Sequence, residues 1–411
     1  MGLALLAVLW LAGWAAIVWR YRGQAHAAWA EPVLNRPVLV LESDDWGPGP
    51  ELHADRLRAL AGVLRPFRDS RGRPPVMTLG MVLAVADTQG MAREQSFSYR
   101  RVTLADRRFA ALLQAIEEGR RTGVFVPQLH GMEHYWPPTL MSLAASDATI
   151  RAWFLSEGIA DSACLPSHLQ SRWTDASMLP SQPLSEAEVE KAVQEETEAF
   201  KAILGVPPSV AVPPTFVWTA AVEDAWARAG VTVIVTPGRR YEGRGLNGAP
   251  DRAGPPIYNG QMGGGGLVYV VRDAYFEPTW GHTAEQALAA LAAKSRLGRP
   301  ALLETHRFNF VGDAASCEAA LKELARLLEG ALARFPGLAF MSTEELAEAM
   351  HRRVPDLIAS AWPVRLHFWL ARLAEIPRLR QLAWFTGLAL LVLPLLMLTA
   401  PRFRSGVMEA R

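Results

Sequence analysis

Val38-Leu39-Val40-Leu41-Glu42-Ser43-Asp44-Asp45-Trp46-Gly47 is the stretch on which the fold turns. Four apolar residues without a break read as a strand covered on both faces, the pattern of a parallel sheet. An acidic pair follows at once. Adjacent acids are common on solvated loops, but parallel α/β folds place their chemistry where strands end. Asp44 and Asp45 stand at such an end.

Similar apolar runs recur outward from this one: Val76 to Leu79, Val124 to Val126, Val231 to Val235, Leu267 to Val271, Ala301 to Leu303 and Leu338 to Phe340. Between them, Glu51 to Leu64, Leu104 to Arg121, Glu186 to Ile203, Ala220 to Ala229, Thr283 to Ala293 and Ala314 to Phe335 space their apolar residues three and four apart, as amphipathic helices do. Ser342-Thr343-Glu344-Glu345 reads as a capping box opening a last helix. This alternation predicts an α/β domain over residues 34–353, and a barrel better than an open sheet. Residues 154–183 and 237–266 break the pattern and read as loops. Gly263 to Gly266 lacks the Lys-Ser/Thr ending of a phosphate loop, so a flexible loop is the better reading.

The chain has 411 residues, half of them hydrophobic, with 42 Lys and Arg against 41 Asp and Glu. That balance gives no footing for nucleic acid. Cys164 and Cys317 form no C-x-x-C pair, which argues against a cysteine-bound structural zinc.

The ends differ from the middle. Met1 to Trp19 carries no charge, and Gln381 to Pro401 is a second uncharged stretch between Arg380 and Arg402. Each is about long enough to cross a ~30 Å hydrocarbon core. Ala25-His26-Ala27 offers a signal-peptide cleavage site, but no Lys or Arg precedes the first run, and Arg20 and Arg22 follow it. Residues 1–22 are therefore expected to be a transmembrane helix or uncleaved signal anchor, and 381–401 a second transmembrane helix, in a bacterial inner (plasma) membrane. Arg20, Arg22, Arg372, Arg378 and Arg380 outnumber Arg402, Arg404 and Arg411, which leans the central domain toward the cytoplasmic side. Large domains cross regardless of charge, so the side stays open. Residues 360–380 are amphipathic and suit either the membrane interface or the domain's own surface.

Gln128-Leu129-His130-Gly131-Met132-Glu133-His134 also follows an apolar run. Two His four apart share one face of a helix and can share a metal. With Asp45 from the first strand end they make an Asp-His-His donor set for a divalent ion. A third strand end, Leu302-Leu303-Glu304-Thr305-His306-Arg307-Phe308-Asn309, brings His306 to the same edge. Taken alone, His306 reads as a hydrogen-bonded structural histidine.

The order Asp-Asp, H-x-x-x-H, Val212-Pro213-Pro214-Thr215-Phe216, Leu303-Glu304-Thr305-His306 and Phe340-Met341-Ser342-Thr343-Glu344-Glu345-Leu346 resembles the polysaccharide deacetylase family, the fourth family of carbohydrate esterases. The resemblance covers about residues 34 to 350. It implies a distorted (β/α)7-type barrel, here flanked by N- and C-terminal transmembrane helices. It implies that Asp45, His130 and His134 bind a divalent metal, Zn2+ first by donor type. It implies Asp44 as the base that takes a proton from metal-activated water, and His306 as the acid that protonates the leaving amine. The function it implies is a membrane-anchored deacetylase of N-acetyl, less readily O-acetyl, groups on a glycan or lipid-linked sugar, with membrane lipid the other partner and no nucleic acid.

Several positions depart from the family. Val212 replaces an arginine that orients the base, with Arg272 or Arg307 as candidate substitutes. Glu42-Ser43-Asp44-Asp45-Trp46 replaces Thr-Phe-Asp-Asp-Gly, so Trp46 is expected to narrow the site. The stretch from Asp45 to His130 is longer than usual, and Asp273 or Trp280 stands near the family's fourth motif. Two other functions compete: a glycoside hydrolase on a related barrel, needing two carboxylates astride a sugar, and a non-catalytic glycan-binding membrane protein.

Overall fold

The computed structural model describes residues 2–93, 97–399, 402–404 and 407–409. Met1, Pro401 and Arg411, which belong to the end segments just read, lie outside the described residues.

Nine parallel strands form the central sheet: β1 (Val38–Trp46), β2 (Met77–Met81), β3 (Phe125–Leu129), β4 (Val210–Ala211), β5 (Val233–Thr236), β6 (Val268–Val271), β7 (Ala274–Tyr275), β8 (Ala301–His306) and β9 (Ala339–Phe340). Their order is β6-β5-β4-β3-β2-β1-β8-β7, with β9 beside the start of β1. β6 and β7 stand at opposite ends of that order, yet only Arg272 and Asp273 separate them in the chain. The sheet therefore curls until one broken strand, Val268 to Tyr275, serves both edges. β1 takes six residues of β8 on one side, from Leu39↔Ala301 to Asp44↔His306, and β2 on the other.

The strand period of two divides β1 between two cores. Leu39 and Leu41 pack outward among the surrounding helices. Val38 and Val40 pack inward with Val210, Val212, Val233, Val235, Val268, Val270 and Leu302. β-branched valines fill this interior, where stiff side chains suit a pleated wall.

The helices are α1 (Gly2–Arg20), α2 (Arg22–Ala30), α3 (Leu52–Leu64), α4 (Ala110–Arg121), α5 (Glu186–Leu204), α6 (Ala220–Arg228), α7 (Ala284–Arg296), α8 (Ala314–Arg334), α9 (Thr343–Arg352), α10 (Trp362–Ala374), α11 (Pro377–Phe385) and α12 (Leu388–Thr399), of which α3 to α9 fall on the expected helical segments. The capping box at Ser342 and Glu345 is formed.

Helix α10 lies on the domain's own surface. Val364 and Phe368 pack on Val33. The buried Arg372 donates to the carbonyls of Ala28, Glu31, Pro32, Leu297 and Gly298. The second apolar stretch departs from the single span expected. It is the pair α11 and α12, bent by 90°. Gly387 at the bend has φ +74°, a left-handed conformation that ends α11 and that glycine adopts without strain. Among the described residues no single helix is long and apolar enough to cross a membrane. The two apolar ends touch each other: Trp10 Nε1 donates to the Thr386 carbonyl at 2.8 Å.

Candidate metal centre

Continuing the inward set of β1 past Val40 places Glu42 and Asp44 on the interior face, above the valine layer. On β8, Leu302 is followed in the same way by Glu304 and His306. By alternation Asp45 points outward. It does not, because its φ is +70° and the β1–β2 register shifts between Ser43 and Trp46. This bulge turns the second carboxylate into the site beside the first.

His130 and His134 are not on a helix, as their spacing suggests. They sit in an irregular loop after β3, turned by Gly131 at φ +104°. The loop still brings their rings to 4.9 Å between centroids. Asp45 Oδ1 lies 3.4 Å from His130 Nε2 and 3.4 Å from His134 Nε2. His130 Nδ1 is 2.9 Å from the Val212 carbonyl and donates to it, which turns Nε2 toward Asp45. Burial pushes His134 down to about 4 against the pull of Asp45, so its imidazole is neutral at pH 7.

A divalent ion fits these donors. Bonds of ~2.1 Å at a tetrahedral angle hold ligand atoms ~3.4 Å apart. Asp45 Oδ1 is buried and has no hydrogen-bond donor of its own. The three donor atoms lie within 4.8 Å of one another.

The His loop is braced from behind. Glu133, between the two histidines, is fully buried and pairs with Arg172 at 2.7 Å and Arg101 at 2.7 Å. Glu196, from α5, accepts from Arg172, Trp226 and the Met132 backbone N–H. Charged groups so buried persist only when paired on this scale.

Arg272, at the break between β6 and β7, reaches Asp44 Oδ2 at 2.6 Å, Glu42 at 3.2 Å and Glu304 at 3.0 Å. Its guanidinium stacks on the Phe216 ring. Burial raises Glu42 and Glu304 above the usual carboxylate range, despite Arg272. Burial opposes ionisation of Asp44 too, but Arg272, His130 and His306 overcome it and hold its carboxyl below that range. Of the three inward acids, Asp44 is thus the one whose surroundings favour the ionised form. Its other oxygen, Oδ1, is buried and has no partner.

His306 Nδ1 donates to Glu277 Oε1 at 2.6 Å. Burial works against the imidazolium, but Glu277, Asp45 and Asp44 raise it to about 9. Glu277 is itself buried and accepts from Asn309.

All five expected site residues converge, and Arg272 rather than Arg307 stands against Asp44. Arg307 faces Asp161 at the rim, 3.7 Å away. Trp46 does not narrow the site. It is fully buried in the outer core, its indole donating to Ser43 Oγ. Asp273 pairs with Lys294. Glu277, Glu133 and Glu304 carry no expectation from sequence. Glu304 alone had a signal, as an acid two residues before His306 on an apolar strand.

Fold and site together define a parallel α/β barrel-like domain with a carboxylate and two imidazoles at its strand ends. No family model and no curated protein matches the sequence. Solved structures that it resembles include a family 4 carbohydrate esterase from Streptomyces lividans in complex with acetate, 14% identical, with TM-score 0.34, covering 74% of this chain and 92% of that one. The peptidoglycan deacetylase PdaC from Bacillus subtilis is 12% identical, with TM-score 0.34, covering 78% and 94%. The 4-alpha-glucanotransferase from Thermococcus litoralis is 10% identical, with TM-score 0.40, covering 76% of this chain and 40% of that one.

Proposed function

We propose that this chain is a membrane-anchored, metal-dependent hydrolase that removes N-acetyl, and less readily O-acetyl, groups from a glycan or lipid-linked sugar. One observation carries the reading: three metal donors converge beside an ionised Asp44 with a free buried oxygen and a protonated His306. When held by Asp45, His130 and His134, a divalent ion such as Zn2+ supplies Lewis acidity at the acetyl carbonyl.

The chain's own groups move the protons. Arg272 keeps Asp44 ionised and fixes Oδ2, so Oδ1 accepts a proton from water. The water oxygen bonds to the acetyl carbon and the C–N bond breaks. The departing nitrogen takes its proton from His306 Nε2, while Glu277 holds Nδ1 and orients the ring. A proton then passes from Asp44 to His306 through solvent, and the cycle closes.

A glycoside hydrolase needs two carboxylates facing a sugar across ~5–9.5 Å. Here Asp44, Glu42 and Glu304 are committed to one guanidinium and Glu277 to His306, which favours amide or ester cleavage. Anchoring is supported by the exposed apolar faces of α1 and α12, where Leu9, Leu11, Trp19, Leu390 and Leu398 are each at least 60% exposed. Lipid accommodates such faces and water does not.

The deciding experiment is Asp44→Asn, with acetate release from N-acetylated sugar oligomers and metal content read on the same preparation. Hydrolysis is expected to fall ~10²–10⁴-fold with metal retained. Full activity in that variant removes Asp44 as the base.

A further inference from the structure

Arg307, next in the chain after His306, takes no part in the proton transfers. Its main chain is pinned. The N–H donates to the Asp44 carbonyl at 2.9 Å, and the carbonyl accepts from the Phe310 N–H at 2.9 Å. The first of these bonds carries the β1–β8 pairing one step past Asp44↔His306, to the place where Asp45 turns inward. There Arg307 and Asp45 line one small cleft, together with Gly47, Pro48, Val82 and Ser162.

The Arg307 side chain is only 16% exposed, yet its guanidinium makes no hydrogen bond among the described residues. Asp161 stands 3.7 Å away, beyond hydrogen-bonding distance. That carboxylate is half exposed and already caps the turn Ser162–Cys164 through the Ala163 N–H. Arg172 and Arg272, the guanidiniums enclosed behind the site, pair with two and three carboxylates. Arg307 has the same five N–H donors and the same permanent charge, with nothing to spend them on. Burial pushes the nearby His53 down to about 4, and Arg307 contributes more to that than Asp161 takes back. The acid therefore does not cancel the cation. Apolar walls at Pro48 and Val82 keep the local dielectric low, which strengthens the pull on an incoming anion.

We infer that Arg307 receives an anionic group of the substrate, so that the sugar losing its acetyl carries a carboxylate or a phosphate close to the N-acetyl group. The inference rests on the deacetylase reading, which puts the acetyl carbon at the ion held by Asp45, His130 and His134. The cleft that Arg307 shares with Asp45 then sets the anion on the reacting sugar, not on a distant unit. A planar guanidinium takes a carboxylate or phosphate through paired N–H donors. Such a partner supplies the charge-assisted hydrogen bonds that Asp161 does not make.

The test measures kcat/KM of the full-length protein for three sugars. They are N-acetylglucosamine, N-acetylmuramic acid, which adds a carboxylate, and the phosphate monoester of N-acetylglucosamine at its primary hydroxyl. Wild type is expected to favour a charged sugar over the neutral one by ~10–100-fold, the scale of a charge-assisted hydrogen bond. Whichever is favoured tells carboxylate from phosphate. In Arg307→Gln the ratio falls toward one, and Arg307→Lys keeps part of it. A preference that survives in Arg307→Gln belongs to the bound ion and overturns the inference. So does a wild type that treats the three sugars alike, a result that needs no variant to fold. If no preparation releases acetate from these sugars or from neutral oligomers, the deacetylase reading fails instead. Calorimetric titration with the same three sugars then decides the anion site alone. Charged sugars bound no more tightly than the neutral one, or as tightly by Arg307→Gln as by wild type, refute it.

Discussion

Glu277 decides what His306 can donate. The carboxylate pulls the imidazole to about 9, so the ring is charged at neutral pH and loses its proton only as pH climbs through that value. Turnover that needs the imidazolium should hold through neutrality and decline on the alkaline side. Glu277→Gln removes the largest favourable contribution to that charge. The alkaline limb of the kcat/KM profile is then expected to move toward the ordinary imidazole value of ~6.5. An unmoved limb would mean that His306 is not the titrating acid. The sign for stability is the same: the raised value stabilises the fold at and below the ordinary range, and that contribution disappears as pH rises through about 9. Asp44, Asp45 and His306 were legible because each follows an apolar strand. Glu277 was not, because its strand β7 has two residues and no pattern to point from. The turn of Asp45 into the site was also hidden, since a positive φ at aspartate leaves no mark in composition.

At the scale of the element, the broken strand β6–β7 carries a concentrated electrostatic load. Arg272 faces three carboxylates at its break. Arg272→Met leaves Asp44 buried without its cation, and stability should fall by ~3–5 kcal/mol, read as a lower urea midpoint. Asp44 then protonates more readily, so the acid limb of activity should move to higher pH. A variant as stable as wild type with an unshifted acid limb would contradict this account. The longer strands and the helices announced themselves through unbroken apolar runs and three-to-four spacing, and the caps at Ser342 and Glu345 formed as their residues specify. β4 and β7 did not, since each has two residues and neither was marked out as an apolar run, unlike β9. The four-residue gap from His130 to His134 suggested a helix, but Gly131 turns the chain, and Glu133 and Glu196 hold the loop instead. Spacing alone fixes a shared face only if the backbone is helical.

For the molecule as a whole, the apolar ends and the chemistry occupy opposite ends of the strands. Helix α10, which joins the domain to α11 and α12, docks on Val33, Pro32 and Gly298, before β1 and β8 begin. Asp44, Asp45 and His306 stand where those strands finish. The full-length chain, expressed in bacteria, should sediment with membranes and resist alkaline carbonate, yielding only to detergent. Release by carbonate would rule out an integral anchor. Orientation of the ends was beyond sequence, because Arg372 buries itself in backbone carbonyls and so does not report the membrane side.

The break at Arg272 has a consequence in time. All three candidate metal donors belong to residues 45–134, whereas the cation beside Asp44, the carboxylate that orients His306 and His306 itself all follow residue 271. On a chain made from its amino end, the ion-holding set is complete long before the proton-handling set exists. On the proposed mechanism, a nascent chain able to hold an ion would still lack a working base and acid. Catalytic competence arrives last, at the moment the sheet's two edges are sewn together.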